Sequence, residues 1–233
     1  MIDCQSELSR QRLEALYVSD HRGRMVSVNE WNRPAVPRFH LMRTTKAAFS
    51  RFRADVTDEV SAKLEALGGQ EPLGREQSRS PGQEAKFLEL LGHDAPASGV
   101  WSGPVFIFPD ELPELEGAVS IDQSNSHLLV AGFDDWLPDV VHRQPFKAVV
   151  VNDRAASICA SVPVSDAVHC AGVETQAECR GKGLAARAVT NWALAVRELG
   201  ATPFYSTSWT NNASRRVAAR LNLVFVGIDF HVT

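Results

Sequence analysis

Three apolar runs of strand length, 146–151, 156–162 and 167–175, follow one another through turns too short to carry a crossover, at Asn152-Asp153 and at 163–166. Strands joined this tightly pair antiparallel, because a parallel partner needs a connection of a dozen residues or more. The period then changes. Across 181–199, Leu184, Ala188, Trp192, Ala195 and Leu199 recur at helical spacing, with Gly200 just past the end. A strand at 203–209, a short helix at 213–221 and a last strand at 223–232 follow. Upstream, a strand at 103–108 opens the series and a helix is expected around 134–143. A meander giving way to helix, strand, helix, strand predicts an α/β (α+β) fold with a mixed, mostly antiparallel central sheet flanked by helices.

The N-terminal part is organised differently. Leu8, Leu13, Leu16 and Tyr17 mark a first helix, 25–28 and 38–42 read as short strands, and 55–67 reads as a second helix. Val56, Val60, Leu64 and Leu67 form its apolar face, and Gly68-Gly69 is expected to end it. The polar stretch 68–85, GGQEPLGREQSRSPGQEA, has the composition of a linker or mobile loop. A boundary is therefore placed near residue 95, dividing an N-terminal α/β subdomain, 1–95, from a second domain, 96–233. The formal charge of −4 argues against a nucleic-acid binder, since phosphate neutralisation needs a concentrated basic surface. Cys4, Cys159, Cys170 and Cys179 show neither a CxxC pair nor metal-ligand spacing, so no metal and a reducing compartment are expected. The charged N-terminus lacks a signal-peptide core, and no stretch approaches the roughly 20 apolar residues of a membrane span. A cytoplasmic protein without membrane contact is the expectation.

The chemistry concentrates in Arg180-Gly181-Lys182-Gly183-Leu184-Ala185, between the third strand of the meander and the long helix. A glycine-containing turn at a helix start presents free N–H groups at the positive end of the helix dipole, and two glycines let a diphosphate approach the backbone. Arg180 and Lys182 add charge. A nucleotide P-loop fails on spacing, because Lys182 is followed by Gly183 rather than Ser or Thr. A dinucleotide fingerprint is matched loosely by Gly181, Gly183 and Ala186, but the strands before it form a meander instead of a parallel crossover unit. A helix start with glycines for packing alone is the bland alternative.

The segment 180–185 matches the Q/R-x-x-G-x-G/A signature and resembles the GNAT acetyltransferase superfamily. Downstream, Trp209-Thr210-Asn211-Asn212-Ala213-Ser214, then Val217, Ala218, Leu221 and Leu223, is similar to that family's second block. The resemblance covers about residues 100–233, its specific part 171–227, and leaves 1–95 unassigned. It implies acetyl-CoA as cosubstrate, held along Val173, Glu174 and Thr175, with main-chain groups of Val173 and Thr175 pairing with the pantetheine amides. It further implies a diphosphate on Arg180, Gly181, Lys182, Gly183, Leu184 and Ala185, and contacts from Asn211 and Ser214. Helix capping by Asn211 or Asn212 is the structural alternative.

The pattern also departs from the family. Where many members carry a tyrosine that protonates the departing thiolate, this chain has Ala218, and Leu221-Asn222-Leu223 stands where Leu-Gly-Phe is common. Tyr205, Ser206 and Ser208 are the nearby replacement donors. For the general base, His169 lies eleven residues before the motif arginine, where some members carry a basic His, and Glu174 is the other choice. Tyr205 or His169 packed in the core, and Glu174 facing solvent, are the non-catalytic readings. Cys170 is read as a small buried residue rather than an acyl carrier. Trp101, Phe106, Phe108 and Trp136 wall a substrate pocket or simply pack the core. The resulting expectation is an N-acetyltransferase acting on a small amine, with the N-terminal part shaping the acceptor pocket or a homodimer surface. A non-catalytic acyl-CoA sensor or scaffold, and an O-acyltransferase, are the alternatives.

Overall fold

The computed structural model describes residues 4–92 and 98–233, so the boundary expected near residue 95 lies outside the described residues. In chain order the elements begin with α1 (Cys4–Leu16), β1 (Tyr17–Ser19), β2 (Met25–Val28), β3 (Phe39–Thr44), β4 (Ala48–Phe52), α2 (Asp58–Gln70) and α3 (Glu84–Gly92). Then come β5 (Val100–Ile107), β6 (Ala118–Ser120), β7 (Phe146–Val151), β8 (Arg154–Val164), β9 (Val168–Thr175) and α4 (Leu184–Glu198). The chain ends with β10 (Thr202–Ser206), α5 (Asn212–Arg220) and β11 (Val224–Val232). It is a mixed α/β fold whose strands pair mostly antiparallel and are flanked by helices.

Two compact units divide the chain. The first comprises Met1–Phe106, Ser206–Asn212 and Phe225–Thr233, with strand order β4-β3-β11-β5. Register places Leu41 opposite Phe230, and Phe39 opposite both Val232 and Phe52, so these apolar side chains share one face. Leu64 of α2 and Phe87 and Leu91 of α3 cover that face and are fully buried. The other face carries His40, Asp229 and His231, and onto it Arg12 of α1 reaches. Its guanidinium donates to Asp229 at 2.8 and 3.2 Å, while His40 Nε2 lies 3.1 Å from the same carboxylate. Burial pushes the Asp229 carboxyl up, but the charge of Arg12, aided by His40, more than reverses this and holds it well below the usual carboxylate range.

The second unit comprises Ile107–Tyr205 and Ala213–Val224, with strand order β10-β9-β8-β7-β6. Asn152 and Asp153 both have positive φ, 51° and 58°, the geometry of a two-residue type I′ hairpin between β7 and β8. β8 and β9 pair antiparallel as the short turns require, and β9 pairs parallel with β10 across the α4 crossover. Phe146, Ala148, Ile158 and Ala160 pack one face of the meander against Leu129, Phe133 and Val140.

Four expectations need correction. Helix α2 runs through Gly68 and Gly69, because Thr57 caps its start and Gly68 is where it meets the sheet: a Cβ there would lie 2.9 Å from Ser50 Oγ and 3.2 Å from Leu41 Cδ1. The polar stretch 68–85 is no loose linker. Buried Glu71 accepts from the N–H groups of Gly82 and Gln83, both at 2.7 Å, and Arg43 Nη2 donates to Ser78 O at 2.9 Å. Residues 134–143 form a 3-10 turn, Asp134–Asp139, rather than an α-helix, with Pro138 inside it. Leu199 is exposed, whereas Val189, Ala193 and Val196 complete the buried face of α4.

Asp229→Asn leaves the Arg12 charge buried without its counter-charge and is expected to lower the unfolding free energy by about 3–5 kcal/mol. Urea denaturation reads this, and an unchanged midpoint would show that the pair contributes nothing. Because the folded carboxyl titrates below the unfolded one, the contribution is complete above pH ~4 and is lost as the pH falls further.

Candidate functional site

A sheet strand must find partners for its backbone on both edges, and β9 does so over only part of its length. Toward β10 the register runs Thr202↔Val168, Pro203↔His169, Phe204↔Cys170 and stops, while β9 continues to Thr175 against β8 alone among the described residues. Gln176 N–H bonds to Ala156 O at 3.0 Å. Alternation then makes 174/158 and 172/160 the next hydrogen-bonded pairs. The main-chain groups of Ala171, Val173 and Thr175 therefore point away from β8, into the edge that β10 has left. Thr175 O accepts from Arg180 Nε at 3.3 Å.

The same strand leads into the glycine loop. Gly181 and Gly183 have φ of 75° and 77°, a left-handed conformation that glycine adopts without steric cost. Gly183 is the N-cap of α4, and Arg187 N–H is bonded back to Gly183 O at 3.4 Å. The amides of Leu184, Ala185 and Ala186 thus lack intrahelical acceptors. A Cβ at Gly181 would meet nothing within 4 Å, whereas one at Gly183 would meet the guanidinium of Arg220, a residue of α5 that the sequence reading passed over. Arg180, Lys182 and Arg220 are all exposed. Arg220 lies far from the loop in sequence and outside its motif, so no local signal pointed to it.

The proposed catalytic side chains fall on two faces. On β9, His169 and Glu174 are five residues apart and so project oppositely. His169 is buried, with Nδ1 2.8 Å from Ser161 Oγ, and Trp192 Nε1 of α4 donates to that same hydroxyl at 3.0 Å. Burial lowers the His169 pKa, so the ring is neutral at pH 7. Glu174 is exposed on the other face, where Trp136 Nε1 donates to its Oε2 at 2.7 Å. Register puts Tyr205, one residue past Phe204, on the His169 face. Its hydroxyl is 2.6 Å from Ser214 Oγ, and burial pushes the phenol up to about 12.

Ser214 is thereby brought to Tyr205. Asn211 belongs to the first unit, where it precedes α5, is exposed and donates its N–H to Ser208 O at 3.1 Å. Ala218 is buried within α5, and Cys170 is buried on β9. The four aromatics divide between the two units. Trp101 stacks on His231 and Phe106 packs edge-on to Phe225 in the first unit, while Phe108 contacts Trp192 and Trp136 contacts Phe146 in the second. Among the described residues no cluster of three or more His, Cys, Asp or Glu side chains could hold a metal ion, and no helix is long and apolar enough to cross a membrane.

Residues 147–227 match the sequence model of the GNAT acetyltransferase family. A search of curated proteins finds no sequence relative. Among solved structures, a GCN5-related N-acetyltransferase from Sphaerobacter thermophilus is similar at 13% identity and a TM-score of 0.54, covering 99% of this chain and 89% of that one. A GCN5-related N-acetyltransferase from Kribbella flavida is similar at 14% identity and a TM-score of 0.49, covering 100% and 96%. A GNAT-family structure from Novosphingobium aromaticivorans is similar at 19% identity and a TM-score of 0.48; the match spans 58% of this chain and 65% of that one, just under two thirds. The Sphaerobacter likeness is one of fold alone, and it extends over the N-terminal part that the sequence leaves unassigned.

Replacing Gly181 by Ala adds only backbone strain, and a loss of about 1–2 kcal/mol is expected. Gly183→Ala should cost at least as much, since its Cβ also displaces Arg220. Thermal denaturation of the two variants checks both, and unchanged melting of Gly181→Ala would contradict the left-handed geometry.

Proposed function

Because residues 147–227 match the model of the GNAT acetyltransferases, a family that transfers acetyl from acetyl-CoA, we propose that this chain is an N-acetyltransferase acting on a small amine. The observation that carries the reading is the free edge of β9, lined by main-chain groups of Val173 and Thr175 and leading directly into the amides at the start of α4. These residues fit an acyl-CoA. The edge offers strand-like hydrogen bonds to the two pantetheine amides. Gly181 and Gly183 leave the backbone bare for a diphosphate, with Arg180 and Lys182 beside it. Ser214 completes the proposed contacts of the cofactor arm.

When bound, acetyl-CoA supplies an activated acetyl group whose carbon an amine nitrogen attacks as the carbon–sulfur bond breaks. The attacking nitrogen must first lose a proton. We assign that proton to Glu174: it is exposed and ionisable, and Trp136 fixes one carboxylate oxygen with a donor that carries no charge, leaving the other oxygen to accept. His169, neutral and engaged with Ser161, is assigned to hold the inner face of β9 in place. Tyr205 is fully protonated at neutral pH and replaces, from the strand, the tyrosine that Ala218 lacks. Its hydroxyl proton goes to the departing sulfur, and the proton that the nitrogen sheds as the amide forms restores the phenol. The acid and base thus stand on opposite faces of the sheet. The thiols of Cys159 and Cys179 suit a reducing, cytoplasmic setting.

Isothermal titration with acetyl-CoA, followed by thiol release with a panel of small primary amines, tests the reading. Binding and amine-dependent release are expected; binding without release for any amine would favour the sensor alternative, and no binding would overturn the proposal. Glu174→Gln is expected to lower kcat by about 10²–10⁴-fold while leaving acetyl-CoA affinity near that of the parent. Tyr205→Phe should lower kcat to a lesser degree, with the largest effect on thioesters whose thiol is a poor leaving group. Equal kcat in either variant removes that residue from the mechanism.

A further inference from the structure

Three cations converge on the start of α4, the end of a helix at which positive charge is disfavoured. Arg180 is tied to Thr175 O, but neither Lys182 nor Arg220 has a hydrogen-bond or ion-pair partner among the described residues. Among the described residues no carboxylate pairs with any of the three. The loop therefore gathers positive charge that an anion seated in it would meet.

The position of Arg220 is the informative one. A Cβ built on Gly183 would lie 3.0 Å from its Nη1, 3.2 Å from Cζ and 3.3 Å from Nη2. Three nearly equal distances mean that the guanidinium lies flat over Gly183. Its N–H donors, which are confined to the guanidinium plane, then point sideways from the loop instead of into it. Any side chain at 183 would close this approach, so the absence of one both frees the backbone and admits the arginine. Placement in the last turn of α5 gives Arg220 a structural role too, because a cation is favoured at a helix C-terminus. The two roles make different predictions.

We infer that Arg220 is a phosphate-binding residue of the acyl-CoA site, lent by α5 to the glycine loop and engaging the phosphates through the N–H edge it holds beside Gly183. The inference rests on the acyl-CoA reading and deepens it. It makes α5 part of the cofactor site at both ends, Ser214 near its start and Arg220 at its close.

Calorimetry of acetyl-CoA binding by the parent chain and by Arg220→Gln, at low and high ionic strength, tests it, with the melting temperature of each protein measured without ligand. Loss of a charge-assisted contact predicts binding weakened about tenfold or more in the variant and a shallower salt dependence. Arg220 is exposed, so the variant should melt close to the parent. Unchanged affinity, or a lower melting temperature with unchanged affinity, overturns the assignment and leaves only the helix-end role. Absence of binding by the parent overturns the acyl-CoA reading itself and this inference with it, an outcome distinct from failure of Arg220 alone.

Discussion

The parallel pairing of β9 and β10 is the constraint on which the proposed site depends. Two strands joined by a crossover helix are held together at Val168, His169 and Cys170 and then separate, while the antiparallel partner β8 keeps β9 straight to Thr175. Were β9 free on both edges its backbone would be floppy; were it paired on both, nothing could be added to it. The meander stiffens the strand and the early end of the β10 register exposes it. The crossover also sets where α4 begins, so the unpaired amides of the helix follow those of the strand after the short connection 176–183.

The antiparallel meander and the α4 crossover were legible because each rests on local chemistry. Asn152-Asp153 suits a type I′ turn, Gly200 follows α4 with φ of 80°, and strand-length apolar runs flank both. The glycine loop was equally plain. What escaped was whatever depends on a distant partner. Gly68 looks like a stop signal until Ser50 and Leu41 are seen pressing on it, and the stretch around Glu71 looks solvated until Arg43, Gly82 and Gln83 are found on it. Trp136 looked like one member of an aromatic wall, and only the fold shows its indole N–H on Glu174. Strand parity separates His169 from Glu174 and was available from spacing, but which face each takes needed Trp192 and Trp136.

Both sheet faces of the first unit are buried, yet by opposite means. Phe39, Leu41, Phe230 and Val232 form a dry apolar layer, and one residue out of phase His40, Asp229 and His231 form a polar one closed by Arg12. A one-residue slip between β3 and β11 would drive charge into the apolar layer, so the polar face defends the register as much as it contributes energy. His231, whose pKa burial lowers to about 4, stays neutral beside Trp101 and adds no charge to the pair.

The chain enters and leaves its first unit more than once, returning at Ser206 and again at Phe225 to lay β11 between β3 and β5. A fragment ending after β5 would therefore contain the helices and three of the four strands of that sheet but not the strand at its centre. Its β3 would present a bare edge beside Phe39 and Leu41, with the apolar partners Phe230 and Val232 missing. Such a piece is an aggregation template rather than an independent module. Expression of the N-terminal half alone, or its exchange between relatives at a single junction, breaks the sheet it is meant to preserve, and a faithful graft must carry the last nine residues of the chain with it.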